Sequence, residues 1–210
     1  MPYDPSIHTG RLKRLERNYY QGQTSVHWVM CIEGRRTGWL DQHHHAAVRE
    51  LLCHSLFPYG ILCPAYCLMP DHGHFLWIGF QPDSDHCAAA RHFRRAWNQL
   101  LAFKGFALSR QSYDHVLRKA ECARSPFAAI AEYILRNPER RGLVRCWSDY
   151  PNLGSVIPGY PGLDLRKADF WIRFWRIYEI CVASGSSKMP TDRLPGRSDV
   201  GLDTENMGSD

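Results

Sequence analysis

The chain has 210 residues, 44% of them apolar, and a formal net charge of +5. That length suits one domain with a real core, the composition is globular rather than disordered, and with no run of 18 or more apolar residues no membrane span is expected. The charge is uneven: Ser184–Asp210 holds three basic and five acidic residues, leaving +7 on the body, a balance that suits a polyanionic partner, although moderately basic enzymes are common.

Residues 1–23 are polar and basic, with Arg11, Lys13, Arg14 and Arg17 clustered, and read as an irregular arm able to touch phosphate. This stretch lacks the apolar core of a secretory signal. The eight cysteines include no Cys-x-x-Cys pair, the closest two being Cys63 and Cys67. The expectation is a cytoplasmic protein with reduced thiols, a zinc site at Cys63, Cys67 and a histidine being the alternative.

Ser25 to Glu33 has the β-branched and aromatic content of a strand and is apolar on both faces, which predicts a central position. After a turn at 34–38, Asp41 is an N-cap for a helix running to Phe57, with His43, His44 and His45 in its first turn. Ile61 to Leu68 and His72 to Phe80 read as two strands joined by a short turn, hence antiparallel neighbours. The longest helix is expected over Asp83 to Gly105. One stripe of it is apolar (Phe93, Trp97, Leu100, Leu101); another is basic (Arg91, Arg94, Arg95, with Asn98), either a solvated face or a DNA-backbone contact. Ser112 to Arg118 reads as a further strand carrying Asp114-His115, with Arg118 a candidate phosphate contact. A helix from Phe127 to Asn137 follows, then a Gly/Pro-rich loop over Tyr150 to Gly162, an aromatic helix over Asp169 to Cys181, and a disordered Gly/Ser/Pro/Asp-rich tail over 184–210. Strands alternating with helices around a tight antiparallel pair predict an α+β fold, with helices packed on one face of the sheet.

Two segments carry chemistry. In Met69-Pro-Asp-His-Gly-His74, running into Phe75-Leu-Trp-Ile78, the period of a strand puts His72 and His74 on one face, roughly 6–7 Å apart along the backbone. Two such imidazoles either converge on a divalent ion or face solvent at a strand start. In the second segment, Tyr133 and Asn137 stand at i and i+4, about 6 Å apart on one helix face, and Pro138 is expected to close that helix. A phenol with a neutral oxygen ligand suits metal-dependent phosphodiester cleavage; the alternative is that Tyr133 packs and Asn137 caps the helix end.

The segments CLMPDHGHFLWI, QSYDHVLR and AEYILRNPERRGLV, in this order and spacing, resemble the single-tyrosine HUH transposases, and most closely the REP-associated tyrosine transposases, over roughly Thr24 to Pro151. The resemblance implies a ferredoxin-like antiparallel sheet, a single HUH-type catalytic domain over 24–183, Mg²⁺ or Mn²⁺ held by His72, His74 and Asn137, and Tyr133 as the nucleophile on a DNA phosphate. Three positions depart from the family pattern: Gly73 replaces a bulky apolar residue between the histidines, Asp71 replaces the usual Asn, and Arg141 precedes Gly142-Leu143-Val144 where Ala is usual.

The function this implies is metal-dependent cleavage and joining of single-stranded, hairpin-bearing DNA through a covalent 5′-phosphotyrosine, with Arg91, Arg94, Arg95, Arg118 and Arg14 on the DNA and His27 or His115 assisting the phenol. The expected partner is hairpin DNA, with no membrane, and the chain is expected to act as a monomer or homodimer. A non-catalytic DNA-binding protein of the same fold is the alternative. A metallohydrolase using activated water would want further ligands from Asp71, Asp83, Asp85 or His86 and leaves the Tyr133 helix unexplained.

Overall fold

A computed structural model describes residues 14–118 and 120–185. Most of the N-terminal arm, including Arg11 and Lys13, and nearly all of the tail expected over 184–210 lie outside the described residues. Five strands, β1 (Ser25–Cys31), β2 (Ile61–Met69), β3 (His72–Gly79), β4 (Tyr113–Val116) and β5 (Leu153–Val156), form one sheet in the order β4-β1-β3-β2-β5, every pair antiparallel. The first four, with the helices α1 (Gln42–Leu56) and α2 (His86–Ala102), give the ferredoxin-like order. The turn at Pro70-Asp71 makes β2 and β3 neighbours, and β1 pairs along the other edge of β3, so the histidine strand is central: His74 lies between Val29 and Cys67, His72 between Cys31 and Met69.

Alternation along these strands separates two cores. Val26, Trp28 and Met30 of β1 with Phe75 and Trp77 of β3 face α1 and α2, meeting Val48, Leu52, Phe93, Trp97 and Leu101. Cys67, Met69, Leu76 and Ile78 face the other way, onto Phe127, Ala131 and Ile134 of α3 (Arg124–Leu135) and Phe170, Phe174 and Trp175 of α5 (Phe170–Gly185). Helices therefore cover both faces, not one as expected. The cause is in the strands: β2 and β3 are buried at every position, and a sheet apolar on both sides needs a second layer. The aromatic C-terminal helix supplies much of it, stacking Phe174 on Phe127 and donating Tyr178 Oη to the Gly79 carbonyl at 2.9 Å.

Local chemistry sets the boundaries. Asp41 caps α1 by accepting from His44 N at 2.7 Å, and Asp85, rather than the expected start near Asp83, caps α2 through Ala88 N at 2.9 Å. Pro64 sits inside β2 where the pairing shifts register against both neighbours, consistent with its missing N–H. Strand β5 lies within the segment expected to be a Gly/Pro-rich loop. Its Leu-Gly-Ser-Val sequence carries little strand signal because Gly154 opposes Tyr66, and a Cβ there would stand 2.9 Å from the Tyr66 hydroxyl.

The helix expected to end at Asn137 stops two residues sooner. Leu135 is its last residue, Arg136 turns out of the helical region (φ −83°, ψ 5°), and Asn137–Arg140 forms a separate turn, α4, with Pro138 in its first positions. Proline has no N–H to offer the Ile134 carbonyl. Asn137 Nδ2 donates to that carbonyl instead, at 2.8 Å.

Candidate active site

His72 and His74 share the face of β3 that looks toward α3 and α5, and both are buried, 5% and 8% exposed. Their Nε2 atoms stand 3.0 Å apart. Each ring is held from behind. His72 Nδ1 meets Asp71 Oδ1 at 2.6 Å, and Asp71 Oδ2 in turn pairs with Arg35 at 2.9 Å. His74 Nδ1 meets His27 Nε2 of β1 at 3.1 Å, the two rings stacked at 5.3 Å. Beyond His27 lies its cross-strand partner His115, whose Nε2 is 3.3 Å from Glu121.

This surrounding disfavours a charge on His74 and on His27. Burial, and then the neighbouring His27 and His72 with Arg140 and Arg35, hold the His74 pKa well below the ordinary histidine value. Burial, with His115 next, lowers His27 to about 4. Burial opposes ionisation of Asp71, but the His72 hydrogen bond and the charges of His72, Arg35 and Arg141 together hold its pKa below the usual carboxylate range. A carboxylate facing Nδ1 is the outer partner that a metal-ligating histidine uses, and with a cation bound it would leave the His72 Nε2 to the ion. Adjacent ligands of an octahedral ion with bonds of about 2.1 Å lie about 3.0 Å apart, so the spacing of the two Nε2 atoms fits a divalent cation. Among the described residues no three His, Cys, Asp or Glu side chains form a metal-binding group. Of the further ligands considered for a water-activating hydrolase, Asp71 sits behind His72, while Asp85 caps α2 and pairs with Arg17 and His86 contacts the Thr24 carbonyl.

Gly73 points to the opposite face. A Cβ there would meet the Phe75 ring at 2.8 Å and Trp97 at 3.1 Å, so aromatic rings occupy the room that a bulky residue between the histidines would take. The strand is packed despite the glycine.

Tyr133 projects from α3, 55% exposed. Over its ring, 3.8 Å from the centroid, lies the guanidinium of Arg140, which also donates to the Tyr133 carbonyl at 2.7 Å and to Asn137 Oδ1 at 3.0 Å. Asn137 Nδ2 serves the carbonyls of Ile134 and, at 3.3 Å, Tyr133. In this arrangement the Asn137 side chain is the helix cap of the alternative reading, and acting as a third ligand requires it to leave these partners.

The arginines divide. Arg91 and Arg95 are exposed on α2, but α2 lies across the sheet from the histidines. Arg94 holds the following loop by donating to the carbonyls of Ser109 and Arg110, and Asn98 accepts from Leu108 N. Arg14 donates to Asp114 and Ser112, both at 3.0 Å, above Trp28. Arg118 is exposed beside Glu121. The residues not anticipated are Arg140 and Arg35. Arg140 was legible in part, since a residue seven after Tyr133 and three after Asn137 returns to the same helical side; Arg35, from a turn, carried no such signal.

A ferredoxin-like sheet with paired histidines on its central strand, and a helix bearing an exposed tyrosine packed on the same face, defines the architecture of the site. Among solved structures the chain is similar to a REP-associated tyrosine transposase bound to a REP hairpin, with a TM-score of 0.56 and 19% identity over 68% of this chain and 82% of that one. It also matches a bacterial tRNA(His) guanylyltransferase-like protein in complex with GTP, at a TM-score of 0.38 and 14% identity over 64% of this chain and 74% of that one. No protein-family model and no curated protein sequence matches. The first likeness shows a common fold.

Proposed function

We propose that this protein belongs with the single-tyrosine HUH transposases of the REP-associated type, and that it cleaves and rejoins single-stranded DNA carrying hairpins. The observation that carries the reading is the pair of Nε2 atoms 3.0 Å apart on the sheet face under the Tyr133 helix. His72 and His74 would hold Mg²⁺ or Mn²⁺, with Asn137 joining them if its amide turns from the helix end. Bound there, the cation would neutralise charge on the scissile phosphate. The Tyr133 phenol oxygen would attack phosphorus and lose its proton; the bond from phosphorus to the 3′ oxygen would break, and that oxygen would leave as a hydroxyl. The product is a 5′-phosphotyrosine, which a second 3′ hydroxyl can reverse without ATP. Arg140 positions the phenol and sets a cation beside the incoming phosphate. Arg91, Arg95 and Arg118, exposed and without a role in the core, are available to the DNA backbone.

A non-catalytic DNA-binding role is favoured by one observation, the engagement of both Tyr133 and Asn137 by Arg140. One experiment separates the two. Wild type, Tyr133→Phe and His72→Ala are incubated with labelled hairpin-bearing strands, with and without Mn²⁺, and run on denaturing gels. A metal-dependent covalent band absent from both variants supports cleavage; binding by wild type without the band favours the non-catalytic role.

A further inference from the structure

A metal-binding histidine must carry its single proton on the nitrogen away from the ion, and in a buried site that N–H needs an acceptor. For His72 the acceptor is Asp71. For His74 the away-facing nitrogen is Nδ1, and the atom in front of it, at 3.1 Å, is Nε2 of His27. The contact is long-range, 47 residues apart in sequence, and is made by strand pairing: β1 and β3 run antiparallel with Val29 opposite His74, which sets His27 diagonally against the His74 ring.

The other buried histidines of the described chain set a useful contrast. His44 accepts from Trp97 Nε1 and His86 contacts the Thr24 carbonyl, and each leaves its Nδ1 with no partner. They are packing groups that use one nitrogen. His74 has both nitrogens engaged, one on each side, by histidines from different strands. An imidazole at position 27 also carries a desolvation penalty that a phenylalanine of similar shape would avoid, so its presence on the buried face calls for a polar task.

We infer that His27 is the positioning residue of the cation site: its Nε2 accepts the Nδ1–H of His74 and thereby frees the His74 Nε2 lone pair toward the position shared with His72. The inference rests on the metal-binding reading above and adds a residue to it. Asp71 and His27 then form a matched outer pair, one behind each ligand, an anionic acceptor behind His72 and a neutral one behind His74. A neutral acceptor holds the ring without adding a second negative charge to a site that must admit a phosphate.

The test titrates Mn²⁺ calorimetrically into the full chain, with no DNA present. Phenylalanine at position 27 fills the space but accepts nothing; glutamine offers a carbonyl oxygen in place of Nε2. His27→Phe should weaken Mn²⁺ binding about 10- to 100-fold, the effect usual for loss of an outer partner, and His27→Gln should restore most of it, both variants melting cooperatively. Wild-type affinity in His27→Phe overturns the inference. So does a His27→Gln protein as weak as His27→Phe, which would make the residue a matter of packing. His72→Ala, run alongside, reports on the site itself: if it binds Mn²⁺ as wild type does, the metal reading fails, whereas loss of binding in His72→Ala with none in His27→Phe overturns only the role of His27.

Discussion

Arg140 and Tyr133 are joined twice: the guanidinium lies 3.8 Å from the centre of the phenol ring, and its Nη2 donates to the carbonyl of the same tyrosine at 2.7 Å. One side chain therefore fixes both the ring and the last turn of the helix that carries it. If Tyr133 is the nucleophile, as proposed, removing Arg140 should misplace it while leaving the core intact. Arg140→Ala is expected to slow formation of the covalent DNA complex at least about 10-fold, since small errors of placement are costly in rate. Stability should change by only about 0.5–1 kcal/mol, as for an exposed cation–π contact. Arg140→Lys keeps the charge without the planar stack and should fall between. Rates of band formation on denaturing gels, beside thermal melts, decide it.

Acid should unfold this protein through its histidines as well as its carboxylates. Burial lowers His27 and His86 to about 4, so on acidification the unfolded chain takes up protons near pH 6.5 that the folded chain refuses. The stability held by these groups is complete above pH 6.5 and is lost as the pH falls from 6.5 toward 4, at about 1.4 kcal/mol for each unit of depression. Urea midpoints should drop across that window. His86→Leu should flatten the drop, having removed one of the groups that cause it; a slope unchanged in this variant would contradict the assignment.

Gly73 should resist substitution for a packing reason. An added methyl would meet Phe75 at 2.8 Å in a buried layer, and overpacking of this kind costs about 1–3 kcal/mol. Gly73→Ala is expected to lower the denaturation midpoint accordingly, and Phe75→Leu added to it should recover part of the loss. A double-mutant cycle measured by urea unfolding gives the coupling directly.

Arg94 and Arg91 stand three residues apart on α2 and should behave differently. Arg94 donates to two carbonyls of the loop after α2, and hydrogen bonds from a charged group contribute about 1.5–3 kcal/mol. Arg94→Ala should therefore destabilise the fold, whereas Arg91→Ala should leave the melting temperature within error. If α2 contacts DNA, Arg91→Ala should also reduce the salt dependence of hairpin binding by about one phosphate contact.

What the sequence disclosed was whatever depends on near neighbours. The strand beneath His72 and His74, the cap at Asp41 and the aromatic helix beginning beside Asp169 all announce themselves by periodicity or by one polar residue before an apolar run. The failures share a different cause. The second helical layer was missed because apolarity on both faces of β2 and β3 says that cover is needed without saying which helices give it. Strand β5 was missed because Gly154 is chosen by the Tyr66 ring, 88 residues away in the chain. The His27–His74 contact depends on the register of two strands, and no pattern within either strand sets that register. The break at Arg136 follows from Pro138, but which side chain would serve the orphaned Ile134 carbonyl was visible only in three dimensions.

The position of β3 at the centre of the sheet has a consequence for how the molecule would work through a reaction cycle. Peptide groups at His72 and His74 are laddered on both sides, to Cys31 and Val29 on one flank and to Met69 and Cys67 on the other, so they exchange with solvent hydrogen only through large-scale opening. The tyrosine, by contrast, rides at a helix end interrupted two residues later. If the protein exchanges DNA strands as proposed, any adjustment between the capture of one and the release of another must be made by α3 and α4 moving over a fixed floor. Amide exchange should record that asymmetry as slow exchange along β3 and fast exchange from Tyr133 to Arg140.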